Sequence, residues 1–197
     1  MKSPAVFFDR DGTLIVDKNY LRDPDGIEFI KGAPECIAAL KRAGYKIIII
    51  SNQSGIARGL LTHNDVSAIH SKINNLMKDM IGAEIDAFYY CPHHPDFNTV
   101  EECLCRKPSP KMVLKAAAEH NVDLDRSFFV GDKDIDVECG INANLPSILF
   151  GENINAEMIS NLKNAGKIPK FISSNFDEIC RFILNYNSEE NSCGKSL

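Results

Sequence analysis

The stretch Val6-Phe7-Phe8-Asp9-Arg10-Asp11-Gly12-Thr13 decides how this chain is read. An apolar run suited to a buried parallel strand ends abruptly on two carboxylates, then a glycine and a hydroxyl. If the extended geometry runs past Phe8, residues i and i+2 face the same side. Asp9 and Asp11 then share a face while Arg10 points away. Gly12 permits the sharp exit that such an ending needs. Two acids on one face at the carboxyl end of a strand suit metal binding combined with acid–base chemistry. The competing reading is a solvated strand-to-turn ending, because Asp and Gly favour turns on their own.

Working outward, the pattern repeats. A polar connection from Asp17 to Gly32, long enough to suggest a functional loop, precedes a helix that starts near Pro34 and stops at Gly44. Lys46 to Ser51 reads as a second buried strand, breaking into Asn52-Gln53-Ser54-Gly55. A longer helix from about Asn64 to Met80 carries an apolar stripe of Val66, Ile69, Ile73, Leu76, Met77 and Met80 that suits core packing. Ala87–Cys91 predicts a third strand, Ser109 or Pro110 to His120 a helix, and Ser127–Gly131 a fourth strand that ends in Asp132-Lys133-Asp134-Ile135-Asp136 and a helix. Ser147–Phe150 predicts a fifth strand, and residues 155 to 184 two helices around a short strand near Phe171.

Alternating strands and helices imply an α/β fold: a doubly wound, Rossmann-like parallel sheet with helices on both faces. Ligands in such sheets sit at the carboxyl ends of the strands, near a topological switch point. The polar endings of strands one, two and four (Asp9/Asp11, Ser51/Asn52, Asp132/Asp136) would then meet on one rim. One domain over residues 1–187 is expected, followed by a polar, disordered tail over 188–197.

Composition narrows the function classes. Hydrophobic residues make up 44% of the 197 and charged residues 25%, ordinary for a soluble domain with a substantial core. The formal charge of −5 speaks against nucleic acid as a partner. No apolar run is long enough to span a membrane, and Met1-Lys2-Ser3-Pro4 leads straight into the first strand, so no signal peptide is expected. Seven cysteines, an odd number in a chain with core enough of its own, point to reduced thiols in the cytoplasm.

The rim residues suit phosphoryl chemistry. Asp9 would attack phosphorus to form an aspartyl-phosphate, and Asp11 would protonate the departing oxygen and then activate water. Asp9 and the strand-four acids, Asp132 foremost, offer hard oxygens for Mg²⁺. An acid-rich helix start is the plainer reading of residues 132–136. Ser51-Asn52-Gln53-Ser54 offers a hydroxyl, amides and backbone N–H groups for phosphate oxygens, though the same residues form turns. Lys107 could neutralise the transferring group and Arg106 could grip the rest of the substrate; a solvated surface pair is the plain alternative.

A second constellation lies upstream. Cys91-Pro92-His93-His94-Pro95 and Cys103-Leu104-Cys105 supply three thiolates and an imidazole, enough for a closed structural zinc site. Spacing does not choose between His93 and His94, and two unrelated cysteine pairs are the alternative. Because Arg106 adjoins Cys105, zinc would pin the loop that presents Arg106 and Lys107. Cys36, Cys139 and Cys180 read as packing residues, and Cys193 carries no evident role.

Asp9-Arg10-Asp11-Gly12-Thr13, Ser51-Asn52-Gln53-Ser54-Gly55, Arg106-Lys107-Pro108 and Gly131-Asp132-Lys133-x-x-Asp136 together resemble the four motifs of the haloacid-dehalogenase-type phosphatases. The cysteine–histidine loop, with Asp17-Lys18-Asn19-Tyr20 and Gly55-Ile56-Ala57-Arg58-Gly59, is similar to their histidinol-phosphatase-like branch, over about residues 5 to 150. The resemblance implies Asp9 as nucleophile, Asp11 as acid–base, and Mg²⁺ held by Asp9, the Asp11 carbonyl and Asp132. It implies that Ser51 and Lys107 stabilise the phosphoryl group and that Arg106 recognises the substrate. Further substrate contacts would come from Asp17, Lys18, Asn19, Tyr20, Asn52, Gln53, Ser54 and Lys133. Zinc would be held by Cys91, His93, Cys103 and Cys105. It further implies the absence of a large cap domain, a monomer, and a small phosphorylated sugar as substrate: heptose 1,7-bisphosphate losing its C7 phosphate in the cytoplasm, on the way to lipopolysaccharide or surface glycans. Histidinol phosphate is the alternative substrate, and a non-enzymatic zinc-dependent binding module the alternative class.

Overall fold

The computed structural model describes residues 2–152 and 154–193, with only the backbone over 187–193. Six strands, β1 (Ala5–Phe8), β2 (Lys46–Asn52), β3 (Ala87–Cys91), β4 (Phe128–Gly131), β5 (Ser147–Phe150) and β6 (Phe171–Ser173), form one sheet in the order β3-β2-β1-β4-β5-β6. Every pairing is parallel. The helices are α1 (Ala33–Arg42), α2 (His63–Ile81), α3 (Lys111–Glu119), α4 (Asp134–Asn142), α5 (Ala156–Asn164) and α6 (Phe176–Cys193). The chain winds outward from β1 to β3, then returns to the centre to begin β4. That reversal puts the switch point between β1 and β4, where an open crevice forms.

The pleat divides the core in two. Val6 and Phe8 of β1 face a cluster with Ile47, Ile49 and Val130, covered by α1, α2 and α6 through Ile37, Leu40, Ile69, Ile73, Phe176 and Ile179. Ala5 and Phe7 face the other way, with Ile48, Ile50 and Phe129, under α3 and α4 through Val113, Ala116 and Cys139. Alternation within fully buried strands is why both sheet faces read as apolar runs in the sequence. The helix ends are written locally: Thr62 and Asp65 form a reciprocal capping box at the start of α2, and Gly82 closes it in a left-handed conformation.

Residues 14–30 form no separate domain. After Gly12 the chain doubles back: Val16 N–H donates to Glu28 C=O (2.9 Å) and Ile30 N–H to Leu14 C=O (3.1 Å), an antiparallel flap over the crevice. Leu14 and Ile15, in its first arm, are buried. The connection expected from Asp17 to Gly32 is largely the tip and return of this flap.

At the C-terminal end the helical backbone of α6 continues past the expected boundary at residue 187 to Cys193, so the tail expected from 188 begins as helix, and residues 194–197 lie outside the described residues. Among the described residues no helix is long and apolar enough to cross a membrane.

Candidate active site

The sheet places Asp9 one residue beyond β1, Asp132 one residue beyond β4, and Ser51 as the next-to-last residue of β2, all on one rim. Asp9 is buried; its N–H donates to Val130 C=O at 2.9 Å, which continues the β1–β4 pairing into the site. Asp9, Asp132 and Asp136 each offer a carboxylate oxygen within 4.8 Å of the others.

Lys107 holds this cluster together. Its buried ammonium donates to Asp9 Oδ1, lies 2.7 Å from Asp136 Oδ1 and donates to Ile50 C=O at 3.0 Å. Burial opposes the charge on Lys107, but the carboxylates of Asp136 and Asp9 outweigh it and leave the group above the usual lysine range. Asp9 moves up despite its ion pair, because burial and the Asp136 charge outweigh the ammonium. Asp132 is pushed up to about 7 by burial first and then by repulsion from Asp9 and Asp136. The Lys107–Asp136 contact is a close ion pair without hydrogen-bond alignment, and it leaves Asp136 Oδ1 with no hydrogen-bond partner. Three carboxylates clustered within 4.8 Å share one buried ammonium, with the half-exposed Lys133 ammonium 3.9 Å from Asp132, so negative charge exceeds positive in this donor set. A hard, oxygen-liganded divalent cation fits it.

Two glycines make room. A Cβ on Gly12, whose φ is +89°, would run into the Asp132 carboxylate. One on Gly131 would strike Asp136. Asp136 in turn accepts from Lys133 N–H at 3.0 Å, so α4's first turn is tied to the same acid that grips Lys107. The plain reading of 132–136 as a helix start is therefore half right: Asp136 caps α4 and still faces the site.

Asp11 does not stand beside a strand residue that points away. β1 ends at Phe8, and Arg10 turns back, fully buried, to meet Asp11 at 2.9 Å. Arg10 also donates to Gln53 Oε1 (2.9 Å) and reaches His70 Nε2 on α2 (3.4 Å). Gln53 Nε2 closes the ring by donating to Asp11 Oδ2 at 2.8 Å and to Ser51 Oγ at 2.5 Å. Arg10 does not point away from Asp11 because β1 ends at Phe8 and the chain has already left extended geometry at Arg10, which folds under the loop. His70, stacked on Phe88 at 4.4 Å, is lowered to about 3 by burial first and then by the Arg10 charge, and stays neutral. Neither Arg10 nor His70 was legible as part of the site: a charged residue inside an acidic motif and a histidine on an apolar helix give no signal by themselves.

Asn52 clamps Lys107 rather than open space: its Oδ1 accepts from Lys107 N–H at 3.0 Å and its Nδ2 donates to Lys107 C=O at 3.3 Å. The Lys107–Pro108 peptide is cis. Ser54 is half-buried in the turn that follows β2, its carbonyl accepting from Arg58 N–H. On the flap, Asp17 accepts from Asn19 N–H (3.0 Å) and pairs with Lys133 at 3.4 Å, bridging the crevice. Lys18 turns to Glu28 instead. Asn19 and Tyr20 hold left-handed backbone, and Tyr20 lies over Gly55, where a Cβ would come within 2.7 Å of its ring.

The cysteine–histidine loop departs from expectation. Cys91 and Cys105 are joined as a disulfide, whereas reduced thiols were expected, and Cys103 is a free, half-buried thiol. The end of β3 and the turn Glu102–Cys105 bring the two Cα atoms to 5.5 Å, a spacing open to a disulfide and to two ligands of one ion alike. Both ring nitrogens of His94 are engaged, Nε2 by Arg58 at 2.9 Å and Nδ1 by Asp96, and Arg106 donates to the His93 carbonyl at 3.2 Å. Cys36, Cys139 and Cys180 are buried as expected; the side chain of Cys193 lies outside the described residues.

Comparison with known proteins adds to this geometry. The family profile described as polynucleotide kinase 3 phosphatase matches residues 4–139, and a HAD-hydrolase-like profile matches 104–179. The chain is 38% identical over 160 residues to D-glycero-beta-D-manno-heptose-1,7-bisphosphate 7-phosphatase of Yersinia pestis, covering 78% of this chain and 85% of that protein. It is 40% identical over 146 residues to the protein of the same name from Escherichia coli K12, covering 72% and 75%. The crystal structure of D,D-heptose 1,7-bisphosphate phosphatase from B. bronchiseptica, complexed with magnesium and phosphate, matches with a TM-score of 0.78 and 28% identity, over 93% of this chain and 99% of that one.

Proposed function

This chain belongs to the haloacid-dehalogenase-type phosphatases, and from that premise we propose that it removes the C7 phosphate of D-glycero-D-manno-heptose 1,7-bisphosphate to leave heptose 1-phosphate. The observation that carries the reading is the buried Asp9–Lys107–Asp136 cluster with Asp132 beside it, in a chain 37–40% identical to proteins of that name.

Asp9 attacks phosphorus; the P–O bond to C7 breaks as the P–Oδ bond of an aspartyl-phosphate forms. Asp11 gives its proton to the departing C7 oxygen, then takes one from the water that attacks phosphorus and frees Asp9. The Arg10–Gln53 cradle fixes where Asp11's carboxyl group can sit. Lys107, kept protonated, offsets the charge of the transferring group, and Ser51 offers a hydroxyl to it. Asp9, Asp132 and the Asp11 carbonyl would hold Mg²⁺, which supplies charge neutralisation at an anionic phosphate; the shortage of positive charge around the three acids supports it. Asp17, Tyr20 and Lys133 border the open side of the crevice, where the sugar would lie.

We also propose a structural zinc on Cys91, His93, Cys103 and Cys105 in the reduced protein. Two sulfurs already meeting at one point, a third thiol two residues before Cys105, and the full engagement of His94 support it. Zinc there would fix the loop bearing Arg106 and Lys107. Metal analysis of the reduced protein should give about one zinc per chain, as a single closed site requires; fully reduced protein supplied with zinc that binds none would overturn it.

A cytoplasmic monomer is part of this reading. The name of the matching family profile raises a polynucleotide substrate, and the charge of −5 argues against one. Histidinol phosphate is the smaller rival. Turnover of both heptose 1,7-bisphosphate anomers, histidinol phosphate and a 3′-phosphorylated oligonucleotide, each with wild type and Asp9→Asn, decides. The heptose should be preferred and Asp9→Asn inactive; residual turnover by a folded Asp9→Asn would sink the mechanism.

A further inference from the structure

The turn after β2 and the loop after β3 are laced together: Ala57 N–H donates to Pro92 C=O at 3.2 Å. This contact brings two guanidinium groups onto consecutive histidines. Arg58 Nη2 meets His94 Nε2 at 2.9 Å, and Arg106 Nη1 donates to His93 C=O at 3.2 Å. Arg58 is exposed, yet it is held in place, its guanidinium 5.3 Å above the ring of Phe97, itself 55% exposed. Neither arginine takes part in an ion pair among the described residues. Arg106 is held below the usual arginine range by burial first, and the nearby charge of Arg58 pushes the same way.

Two guanidinium groups held on consecutive histidines, neither in an ion pair with a carboxylate among the described residues, leave hydrogen-bond donors for an anion. Guanidinium forks match the oxygens of a phosphate dianion bidentately, and a fork whose rotamers are already fixed loses less entropy on binding. The place of the pair says which phosphate. Arg106 directly precedes Lys107, whose ammonium touches Asp9. Arg106 thus adjoins the lysine of the buried cluster in sequence while its guanidinium turns to the His93 carbonyl, outside that cluster, which suits a phosphate carried at a distance on the same substrate.

We propose that Arg58, braced by His94 and Phe97, joins Arg106 in a two-guanidinium clamp for the phosphate that the substrate keeps. This rests on the bisphosphate reading above, and it makes Arg58 a specificity-determining residue: it selects doubly phosphorylated sugars over monophosphates.

The test is the ratio of kcat/KM for heptose 1,7-bisphosphate to that for p-nitrophenyl phosphate, with Mg²⁺ present, in wild type, Arg58→Ala and Arg58→Lys. One charge-assisted fork sets the expected fall in that ratio at about 10- to 100-fold for Arg58→Ala, mainly through KM for the bisphosphate. Arg58→Lys, which keeps the charge and loses the fork, should fall in between. An undiminished ratio in Arg58→Ala, beside a wild type that prefers the bisphosphate, would overturn the clamp alone. A wild type without that preference would overturn the functional reading and the clamp with it.

Discussion

Replacing Lys107 with Met tests the electrostatic design of the site most directly. The ammonium is buried against Asp9, Asp136 and the Ile50 carbonyl, and methionine keeps much of its length while removing the charge. Taking one partner from a buried ion pair costs about 3–5 kcal/mol, because the remaining charge is left desolvated and unpaired. Here two carboxylates are orphaned, so the upper part of that range applies. For a domain of this size each kcal/mol moves the melting temperature by about 2–4 °C, which gives a drop of about 10–20 °C. The loss should also depend on pH. Without Lys107, the folded-state pKa of Asp9, already raised, rises further above its ordinary value of 3.8. An acid whose folded pKa lies above the unfolded one binds more protons when folded, so its stability falls as pH rises. The deficit of Lys107→Met should therefore be largest at pH 8 and shrink toward pH 5. Urea unfolding in chelator at both pH values measures it, and adding Asp136→Asn to Lys107→Met should recover part of the loss. A deficit under about 1 kcal/mol, or one equal at both pH values, would refute the claim that this lysine exists to neutralise buried acid.

Two further outcomes follow from the same cluster. In metal-free wild type, the rise of Asp132 from 3.8 to about 7 means that the folded chain holds an extra proton between those values, so stability should fall as pH rises from about 4 to 7. At about 1.4 kcal/mol per unit the fall is at most about 4 kcal/mol, and saturating Mg²⁺ should flatten it; urea midpoints that are level in chelator would contradict this. Gly12→Ala should drive its new Cβ into the Asp132 carboxylate and strain a φ of +89°, by about 1–2 kcal/mol for the backbone alone. The Mg²⁺ concentration needed for half-maximal turnover should rise several-fold, and an unchanged Mg²⁺ requirement would show that Asp132 can move aside at no cost.

β1, β2, β4 and β5 were legible as apolar runs because they are buried on both faces, and β3, half-buried, as a short run of aromatic residues; β3 and β5 fall on their expected residues. The acids of the rim were legible as the polar breaks after β1 and β4. What escaped was whatever depends on side chains crossing between elements. Arg10 looked as if it faced away because periodicity assumes that the strand continues, whereas β1 ends at Phe8 and the chain bends at Arg10. His70 shares a helix face with Ile69 and Ile73, and nothing in that stripe marks it as the neighbour of Arg10, 60 residues earlier. Asn52 and Gln53 were recognised as polar residues at the right strand end; that their amides are spent on Lys107, Arg10 and Asp11 is a property of the packed crevice.

That division has a mechanistic consequence. The groups proposed to handle the transferred phosphate (Asp9, Lys107, Asp132, Asp136) come from the ends of β1 and β4, α4's first turn and the loop before α3, and are tied to one another by the Lys107 ion pairs and the clustered acids, so their positions are over-determined. Arg58, Arg106, His94 and Tyr20 sit on turns and loops, with Arg58 against His94 and Phe97, Arg106 on the His93 carbonyl and Tyr20 over Gly55. Changes to the first group should reduce kcat on any phosphate ester, because an offset of about 1 Å at the reacting atoms can cost a hundredfold. Changes to the second should alter which ester is chosen and leave the chemistry of the buried acids in place. The Cys91–Cys105 junction lies between the groups: Cys91 is the last residue of β3, and Cys105 directly precedes Arg106 and Lys107. Opening that junction, as disulfide or as metal site, should disturb both functions at once, which neither set of single substitutions does.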